Sequence, residues 1–530
     1  MRKKRLAIIG CGSSGLICLK YASDELPDWE ICCFEKSSDI TGCWGRPPDG
    51  FVSTSTRYTT QFACFQKYDT TVLRSADHDD SSKQYPDFFN DGEYGRYLSD
   101  FADTFGLRLH IQLNSNVSDV HQTENGGWQL TVSHKSQNRS EQFSAVVFCT
   151  GLVNRIRPLN STIATLRTID SEQPVTDQRI VVIGGGESGV DMAHRLSVPE
   201  FNNEVFLSLR SGVRVSPRYH PIRAVPSDFL RNRLLLSFHR DIRNLLGERF
   251  VRFRIAFREL LERLFPSADP KPTGESSDAM KRRRYWDMKL TRAARDQLFN
   301  VYHNKSDDFL DDVGSNRITI VGPAADSNGR CYHGFDGTEA IDVSPDLIVP
   351  SIGYQSGLET ITGGKARLVD FFVGCLHIEW HNAFAVGFTR PIIGNIPSTS
   401  EMQARYVCGM IAGKFTRPGD ILEQHAQDRF GLQQRYPHLD TENVYPIEMF
   451  PYCDRLAEMM NCRPSMQRIG SVSRWIRMML SPATTIHYSG GYLSDHNDSK
   501  EHIHLPWLFT AIMLTLKPID WVYRVCRHVA

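Results

Sequence analysis

A short apolar run that stops on a glycine-rich turn and leads into a helix occurs twice in this 530-residue chain, and nothing else constrains its fold as much. The first copy is Arg5 to Ile9 followed by Gly10-Cys11-Gly12-Ser13-Ser14-Gly15. A helical pattern then runs from Ser14 to about Ser23, and Glu30 to Phe34 reads as a second buried strand. That order is a βαβ opening. The second copy begins at Arg179, with the strand Ile180-Val181-Val182-Ile183 and the turn Gly184-Gly185-Gly186-Glu187-Ser188-Gly189. A helix to about Leu196 and a strand from Glu204 to Leu209 complete it. Two such units predict an α/β fold with two Rossmann-like dinucleotide-binding domains, not a repeat array.

The spacing assigns each residue a task. Gly10 allows the tight turn, Gly12 lets the backbone approach a pyrophosphate, and Gly15 lets helix and strand pack closely. The pyrophosphate then sits over the first helical turn, at Ser14, where free amides and the helix dipole favour anions. Glu35 stands 20 positions past Gly15, where a carboxylate can accept hydrogen bonds from ribose hydroxyls. In the second copy Gly184, Gly186, Ser188 and Gly189 take the matching places, and we assign Asp191 to the same site. There the following strand ends on Arg210, 21 positions past Gly189, with no acid. A guanidinium suits the 2′-phosphate of NADP, which a carboxylate would repel. Arg214 and Arg218 lie close enough in sequence to assist. The two sites therefore suit FAD first and NADPH second, with hydride passing from nicotinamide to flavin.

Between the copies, Tyr94 to Phe105 reads as a helix, and Trp128 to Val132 and Phe143 to Cys149 as strands. Asp346 to Pro350 is a further buried strand. The simplest arrangement has the FAD domain interrupted by the NADPH domain, the chain returning to the former after about residue 330. We divide it into residues 1–165 (FAD domain, first part), 166–330 (NADPH domain, with a helical insertion over about 218–300), 331–450 (FAD domain, second part) and 451–530 (C-terminal extension). Asp228 to Phe265 is arginine-rich and helical in period, and Pro266 to Asp278 reads as a loop.

Lys plus Arg equals Asp plus Glu at 61 each, so no global charge favours nucleic acid as a partner. The 13 cysteines are scattered, several inside apolar stretches (Cys32, Cys33, Cys149, Cys408), and none forms paired CxxC motifs, so no metal site is expected. That usage suits a reducing, cytoplasmic setting. Cys32 and Cys33 are neighbours on a strand and point to opposite faces, which favours packing over a redox disulfide. Leu6 to Ile9 is too short for a signal peptide and runs straight into the glycine turn.

With these motifs in place, the sequence resembles the flavin-containing monooxygenases over roughly residues 5 to 420. Phe34-Glu35-Lys36 through Thr41-Gly42-Cys43-Trp44 is similar to the family's FEK…GGxW segment over the flavin. Thr54-Ser55-Thr56-Arg57 through Phe62-Ala63-Cys64-Phe65 resembles its NTSK…FSDFP segment, and Tyr94-Gly95-Arg96-Tyr97-Leu98 its YLxxY helix. Cys149-Thr150-Gly151 and Ser351-Ile352-Gly353-Tyr354 occupy its two ATG positions. Phe384 to Arg405, with Gln403 inside Ser400-Glu401-Met402-Gln403-Ala404-Arg405, is similar to its FIGL…TAELQAR segment. The resemblance adds Lys36, Cys43, Trp44, Thr54 and Gln403 to the expected cofactor contacts. Two departures stand out. The identifying FxGxxxHxxxY motif is absent, since Leu159 to Gln178 contains no Phe, Gly or His. Thr54 replaces the Asn that in the family supports the oxygenated flavin; its hydroxyl is shorter and lacks the amide's paired donor and acceptor.

The resemblance implies an enzyme in which NADPH reduces FAD and a flavin hydroperoxide passes its distal oxygen from O2 to a small nucleophilic nitrogen or sulfur compound. Thr54 and Ser55 are the residues expected to position the flavin side. Baeyer–Villiger oxygenation of a ketone, an uncoupled NADPH oxidase and a non-catalytic nucleotide-binding protein remain as alternatives. His220, His303 and His333 read as structural or exposed rather than as proton donors. Residues 505–530 combine apolar and aromatic residues with Lys517, Arg524 and Arg527. Two readings of this tail stay open: a peripheral membrane contact, or a helix docked on the protein. The run Leu505 to Leu516 is too short to span a bilayer.

Overall fold

The two glycine turns sit at the carboxyl ends of the central strands of two parallel sheets. In the computed structural model, the described residues are 3–45, 50–75, 85–135, 137–153, 155–166, 174–220, 225–264, 276–490, 502–504 and 507–529. The first sheet runs Phe371–Phe372, Leu376–His377, Ala383–Ala385, Ala145–Phe148, Arg5–Ile9, Glu30–Phe34, Ile111–Gln112. The second runs Ala164–Thr165, Leu347–Pro350, Arg179–Ile183, Glu204–Ser208, Ile318–Ala324, Cys331–Gly334, Ala340–Asp342. Each has the same centre, with Ile8 opposite Cys33 in one and Val182 opposite Leu207 in the other, both in parallel register. The apolar runs form these strands because both faces are covered: Leu6, Ala7, Ile8, Ile180, Val181 and Val182 are fully buried. Cys33 packs in the core on one face of the first sheet and Cys32 in the core on the other, as their alternation requires. All 13 cysteines are free.

Three expectations are corrected by the topology. The strands at 331–334, 340–342 and 347–350 still belong to the second sheet, so the chain re-enters the first sheet at Phe371, later than the return read near residue 330. The single strand read over Phe143 to Cys149 is two, Gln137–Phe143 in a three-stranded antiparallel sheet and Ala145–Phe148 in the first parallel sheet. The switch falls at Ser144, whose amide donates to the Arg5 carbonyl and whose carbonyl accepts from Asn382 Nδ2. Alternating hydrophobicity cannot reveal such a change of partner. The long helix read from Asp228 is three, Arg233–Leu236, Arg240–Ala256 and Arg258–Leu264. Asn232 caps the first through Leu235 N, and the His239 ring caps the second through Asp241 N. Of the loop read over 266–278, residues up to 275 lie outside the described ones.

The insertion and C-terminal extension clamp the two sheets together. Asp228 Oδ2 accepts from Thr56 N (2.9 Å), Thr56 Oγ1 (3.0 Å) and Thr59 Oγ1 (2.8 Å) of the first domain. Arg233 forms a two-pronged pair with Asp454 at 2.8 Å, and Arg243 pairs with Glu448 at 2.8 Å with both side chains buried. The last helix, Trp507–Val529, docks on the insertion: Asp520, 2% exposed, accepts from His239 N, and Met513 packs with Leu234 and Phe238. Among the described residues no helix is long and apolar enough to cross a membrane.

Because Asp520 is buried and also holds Lys517 and Arg524 at 3.1 Å, Asp520→Ala leaves the His239 amide without its acceptor. The expected cost is about 1–3 kcal/mol of docking. Limited proteolysis should then cut within 507–529 faster than in the parent protein, with flavin content unchanged.

Candidate functional site

The glycine turns are built on one plan. Gly10 has φ +97°, and a Cβ there would lie 2.6 Å from the Cys149 carbonyl oxygen. Gly184 has φ +122°, and its Cβ would lie 2.3 Å from the Ser351 carbonyl oxygen. Any side chain at either position is excluded by conformation and by contact. The third glycines repeat the correspondence: a Cβ on Gly15 would meet Gly10 O at 1.9 Å, and one on Gly189 would meet Gly184 O at 2.0 Å. This explains why Cys149 and Ser351 open the two weakened ATG segments, since their carbonyls pack directly on the turns. Gly12 and Gly186 cap the helices that follow without any side-chain cap, so the first-turn amides of Ser13–Glu25 and Glu187–Leu196 remain available to an anion. The cradles fit two dinucleotide pyrophosphates.

Around the first turn, several side chains are committed to the protein. Glu35 is buried, its Oε2 accepting from Cys11 N (2.8 Å) and its Oε1 from Ser37 N (2.9 Å) and Ser37 Oγ (2.8 Å). It braces the turn against the end of the second strand, and a ribose contact would use its remaining lone pairs. Ser14 Oγ pairs with Ser400 Oγ at 2.9 Å, leaving its backbone to the ligand. Gly42 packs on the turn, its Cβ position lying 3.0 Å from Gly12 Cα. Trp44 stacks edge-on with Tyr94 at 4.8 Å, while Lys36 and Cys43 are exposed. Gln403 does not reach a cofactor surface. It is fully buried, its Oε1 accepts from Gly387 N (2.8 Å) and its Nε2 donates to Tyr452 Oη (2.8 Å). It braces the core beneath the site.

The second site divides its arginines. Arg210 is exposed at the end of the strand Glu204–Ser208 and has no ion pair among the described residues. Arg214 does not assist: it is buried against Glu248 (2.6 Å) and donates to the Asp296 carbonyl. Arg218 instead donates to the carbonyls of Val52 (3.1 Å) and Ser53 (3.3 Å), tying the second domain to the strand that carries Thr54. Asp191 turns along its helix to Arg195 at 3.0 Å, away from the glycine turn. Ser188 Oγ lies 3.3 Å from Tyr354 Oη.

Where residues of the two domains meet lies a cavity of about 270 Å³. It gathers Trp44, Thr54, Ser55 and Thr60 from the first domain with Glu187 at the start of the second glycine helix. Arg231, Tyr302, His303 and Lys305 enter from the insertion side, and Arg390 through Pro397 supply an apolar wall with one cation. His303 is no proton donor: burial, aided by Arg231, pulls it down to about 3, and its ring is held by Ser216 Oγ and the Leu298 carbonyl. Burial beside Arg254 likewise pulls His220 to about 4, and its ring stacks on Phe250. His333 is exposed on an outer strand. Burial raises the Glu187 carboxyl, opposed by Arg390 and Lys305. It lowers Lys305 to about 8, with Asp228 opposing and Arg231 and Arg218 reinforcing. The sequence reading missed Arg231, Lys305 and Arg390, because single cations in polar loops carry no spacing signal.

A sequence profile described as flavin-binding monooxygenase-like matches residues 3–266. The chain belongs to this family. The rat protein named flavin-containing monooxygenase 5 is 24% identical over 531 residues, spanning 92% of this chain and 89% of its own. Family similarity thus extends beyond the span that the motifs marked. Among solved structures, the S-allyl-L-cysteine S-oxygenase of Allium sativum shares the fold at a TM-score of 0.55 and 15% identity, covering 86% of this chain and 88% of that one. A cyclohexanone monooxygenase from Rhodococcus sp. Phi1, bound to NADP+, shares it at a TM-score of 0.56 and 14% identity, covering 86% and 98%. The flavin monooxygenase fold, with its two dinucleotide domains, is therefore the frame on which these turns and this cavity sit.

Arg210, exposed and without an ion pair among the described residues, is the residue we propose for the 2′-phosphate of the second cofactor. Arg210→Glu should lower kcat/KM for NADPH by about 10- to 100-fold, the worth of a charge-assisted phosphate contact. NADH-driven flavin reduction should change far less, so the ratio of the two rates checks the assignment.

Proposed function

We propose that this flavin-binding monooxygenase takes NADPH and O2 and oxygenates a small molecule at a soft nitrogen or sulfur atom. FAD would lie on the first glycine turn and NADPH on the second. The observation that carries this is the shared cavity: Trp44, Thr54 and Ser55 from the first domain and Glu187 at the mouth of the second turn line one space. Bound FAD supplies the redox chemistry, accepting hydride from NADPH and reducing O2 so that one oxygen atom enters the substrate and the other leaves as water. For a sulfide the balance is sulfide, O2, NADPH and a proton giving sulfoxide, NADP+ and water.

The chain's own residues bind, orient and exclude water. The amides after Gly12 and Gly186 hold the two diphosphates, and Arg210 selects the phosphorylated ribose. Pro391, Ile392, Ile393, Ile396, Pro397 and Ala483 form an apolar wall that keeps the cavity dry, which limits loss of reducing power as hydrogen peroxide. Thr54 and Ser55 offer hydroxyls on the flavin side; Ser53 Oγ is already spent on the Ser55 carbonyl at 2.7 Å. We assign residues 1–163 and the chain from about 351 to 450 to the FAD domain and 164 to about 350 to the NADPH domain, which follows the membership of the strands.

Oxygen-18 labelling tests this. With methyl p-tolyl sulfide or a tertiary amine, each NADPH consumed should place one labelled atom from O2 in the product. Hydrogen peroxide in full stoichiometry with no product would overturn it, and an ester formed from a ketone would favour Baeyer–Villiger chemistry. Thr54→Asn, which restores the amide, should cut the peroxide share by about 5-fold if one hydrogen bond protects the oxygenated state.

A peripheral membrane contact is the second part of the proposal. The final helix turns Leu514, Ile519, Trp521 and Val522 outward, Trp521 being 67% exposed. Lys517 and Arg524 are engaged by Ser237 and Asp520 and so are not free to meet a headgroup layer. Aromatic and aliphatic insertion would carry the contact. The protein should co-sediment with phosphatidylcholine vesicles and Trp521→Glu should not; equal sedimentation of both would reject it.

A further inference from the structure

The cavity holds more positive charge than its carboxylates answer. Arg231, Lys305 and Arg390 line it, against Glu187 and Asp228. His303, held neutral by burial, adds nothing. Among the described residues none of the three cations makes a salt bridge. Lys305 Nζ is sealed from solvent and has no hydrogen-bond acceptor among the described residues. An ammonium held that way is costly unless something supplies the missing acceptor. The Arg390 guanidinium lies over the Tyr302 ring, its central carbon 4.0 Å from the ring centroid. Asp228 answers only part of this charge: its Oδ2 accepts from Thr56 and Thr59, its Oδ1 is buried without a hydrogen-bond partner, and it acts on Lys305 and Arg231 through space, since among the described residues no cation lies within 4 Å of it.

Three buried arginines elsewhere in the protein differ. Arg214, Arg233 and Arg243 each pair with a carboxylate at 2.6–2.8 Å. Their roles are structural, and each has its counter-charge in direct contact. The cavity cations lack this provision and converge on an open volume. The cofactor phosphates already have their own provision, the helix amides after Gly186 and the exposed Arg210. Lys305 shares its space with Thr54 and Ser55 on the flavin side.

We propose that the molecule oxygenated here carries a carboxylate or an equivalent anion, held by Lys305 with Arg231 and Arg390 beside it. This rests on the oxygenation reading for the word substrate, but the anion site stands on geometry alone. A protonated amine would be the worst ligand for such a lining, and an anionic sulfide the best.

Three thioethers that differ only in charge test it: 4-(methylthio)benzoate, 4-(methylthio)toluene and 4-(methylthio)benzylamine. With the FAD-loaded enzyme, kcat/KM should favour the benzoate over the neutral sulfide by about 10-fold and disfavour the amine. The ratio of benzoate to neutral sulfide, taken within each variant, should collapse toward one in Lys305→Met and persist in Lys305→Arg. Independently of turnover, benzoate should perturb the visible spectrum of the oxidised flavin saturably, and Lys305→Met should weaken that binding by about 10-fold. No charge preference in the parent protein, or an intact preference in Lys305→Met with a raised KM for NADPH, would overturn the proposal. In the second case Lys305 serves the cofactor. Oxygenation of the neutral sulfide alone would sink the anion site and leave the monooxygenase reading standing; benzoate binding without any oxygenation would do the reverse.

Discussion

The architecture depends on two places where a backbone carbonyl occupies the space of a missing side chain. The Cys149 carbonyl packs on Gly10 and the Ser351 carbonyl on Gly184, each within 3 Å of where a Cβ would stand. These contacts set the turn that aims the following helix, and the aim of the helix decides where its free amides point. A methyl group at either glycine would have to displace main chain, which close-packed interiors resist. The duplicated contact is also why two segments far apart in sequence, around Cys149 and Ser351, carry similar short motifs.

Two aimed helices would achieve little if the domains could drift. Asp228 fixes the insertion to Thr56 and Thr59, and Arg218 grips the carbonyls of Val52 and Ser53, so the strand bearing Thr54 is held from the NADPH side. Arg233 with Asp454 and Arg243 with Glu448 join the insertion to the C-terminal part of the chain. These buried pairs are weak evidence for net stability, since desolvation offsets much of their attraction. Their geometric consequence is firmer: losing one partner strands a charge, so alternative domain placements are penalised. The cavity draws its walls from stretches far apart in the chain, and this clamp holds them together.

What the sequence revealed follows from the range of its signals. Strands and helices flanking the turns were legible because a continuous apolar run ending on glycine has few other solutions. Arg210 could be singled out because its distance from Gly189 is fixed by a helix and a strand; its role stays a proposal. Gln403 and Asp191 were misplaced for a common reason: a motif gives a residue's neighbourhood, whereas the direction of its side chain depends on partners such as Gly387, Tyr452 and Arg195. Arg214 was drawn into the wrong role by proximity in sequence to Arg210, since its partner Glu248 lies 34 residues away on the helix Arg240–Ala256. Lys305, Arg231 and Arg390 were invisible as a group, because only folding brings three unconnected stretches to one cavity.

The central claim is that both turns present their dinucleotides to this one cavity, so that hydride crosses it directly. Anaerobic stopped-flow bleaching of the bound flavin by NADPH, deuterated in turn at each of the two nicotinamide C4 positions, tests that claim most directly. The account predicts a primary isotope effect on bleaching for one position and none for the other, because a fixed geometry offers one face of the nicotinamide to the flavin. Failure of NADPH to bleach the flavin, or equal primary isotope effects from the two positions, would contradict it.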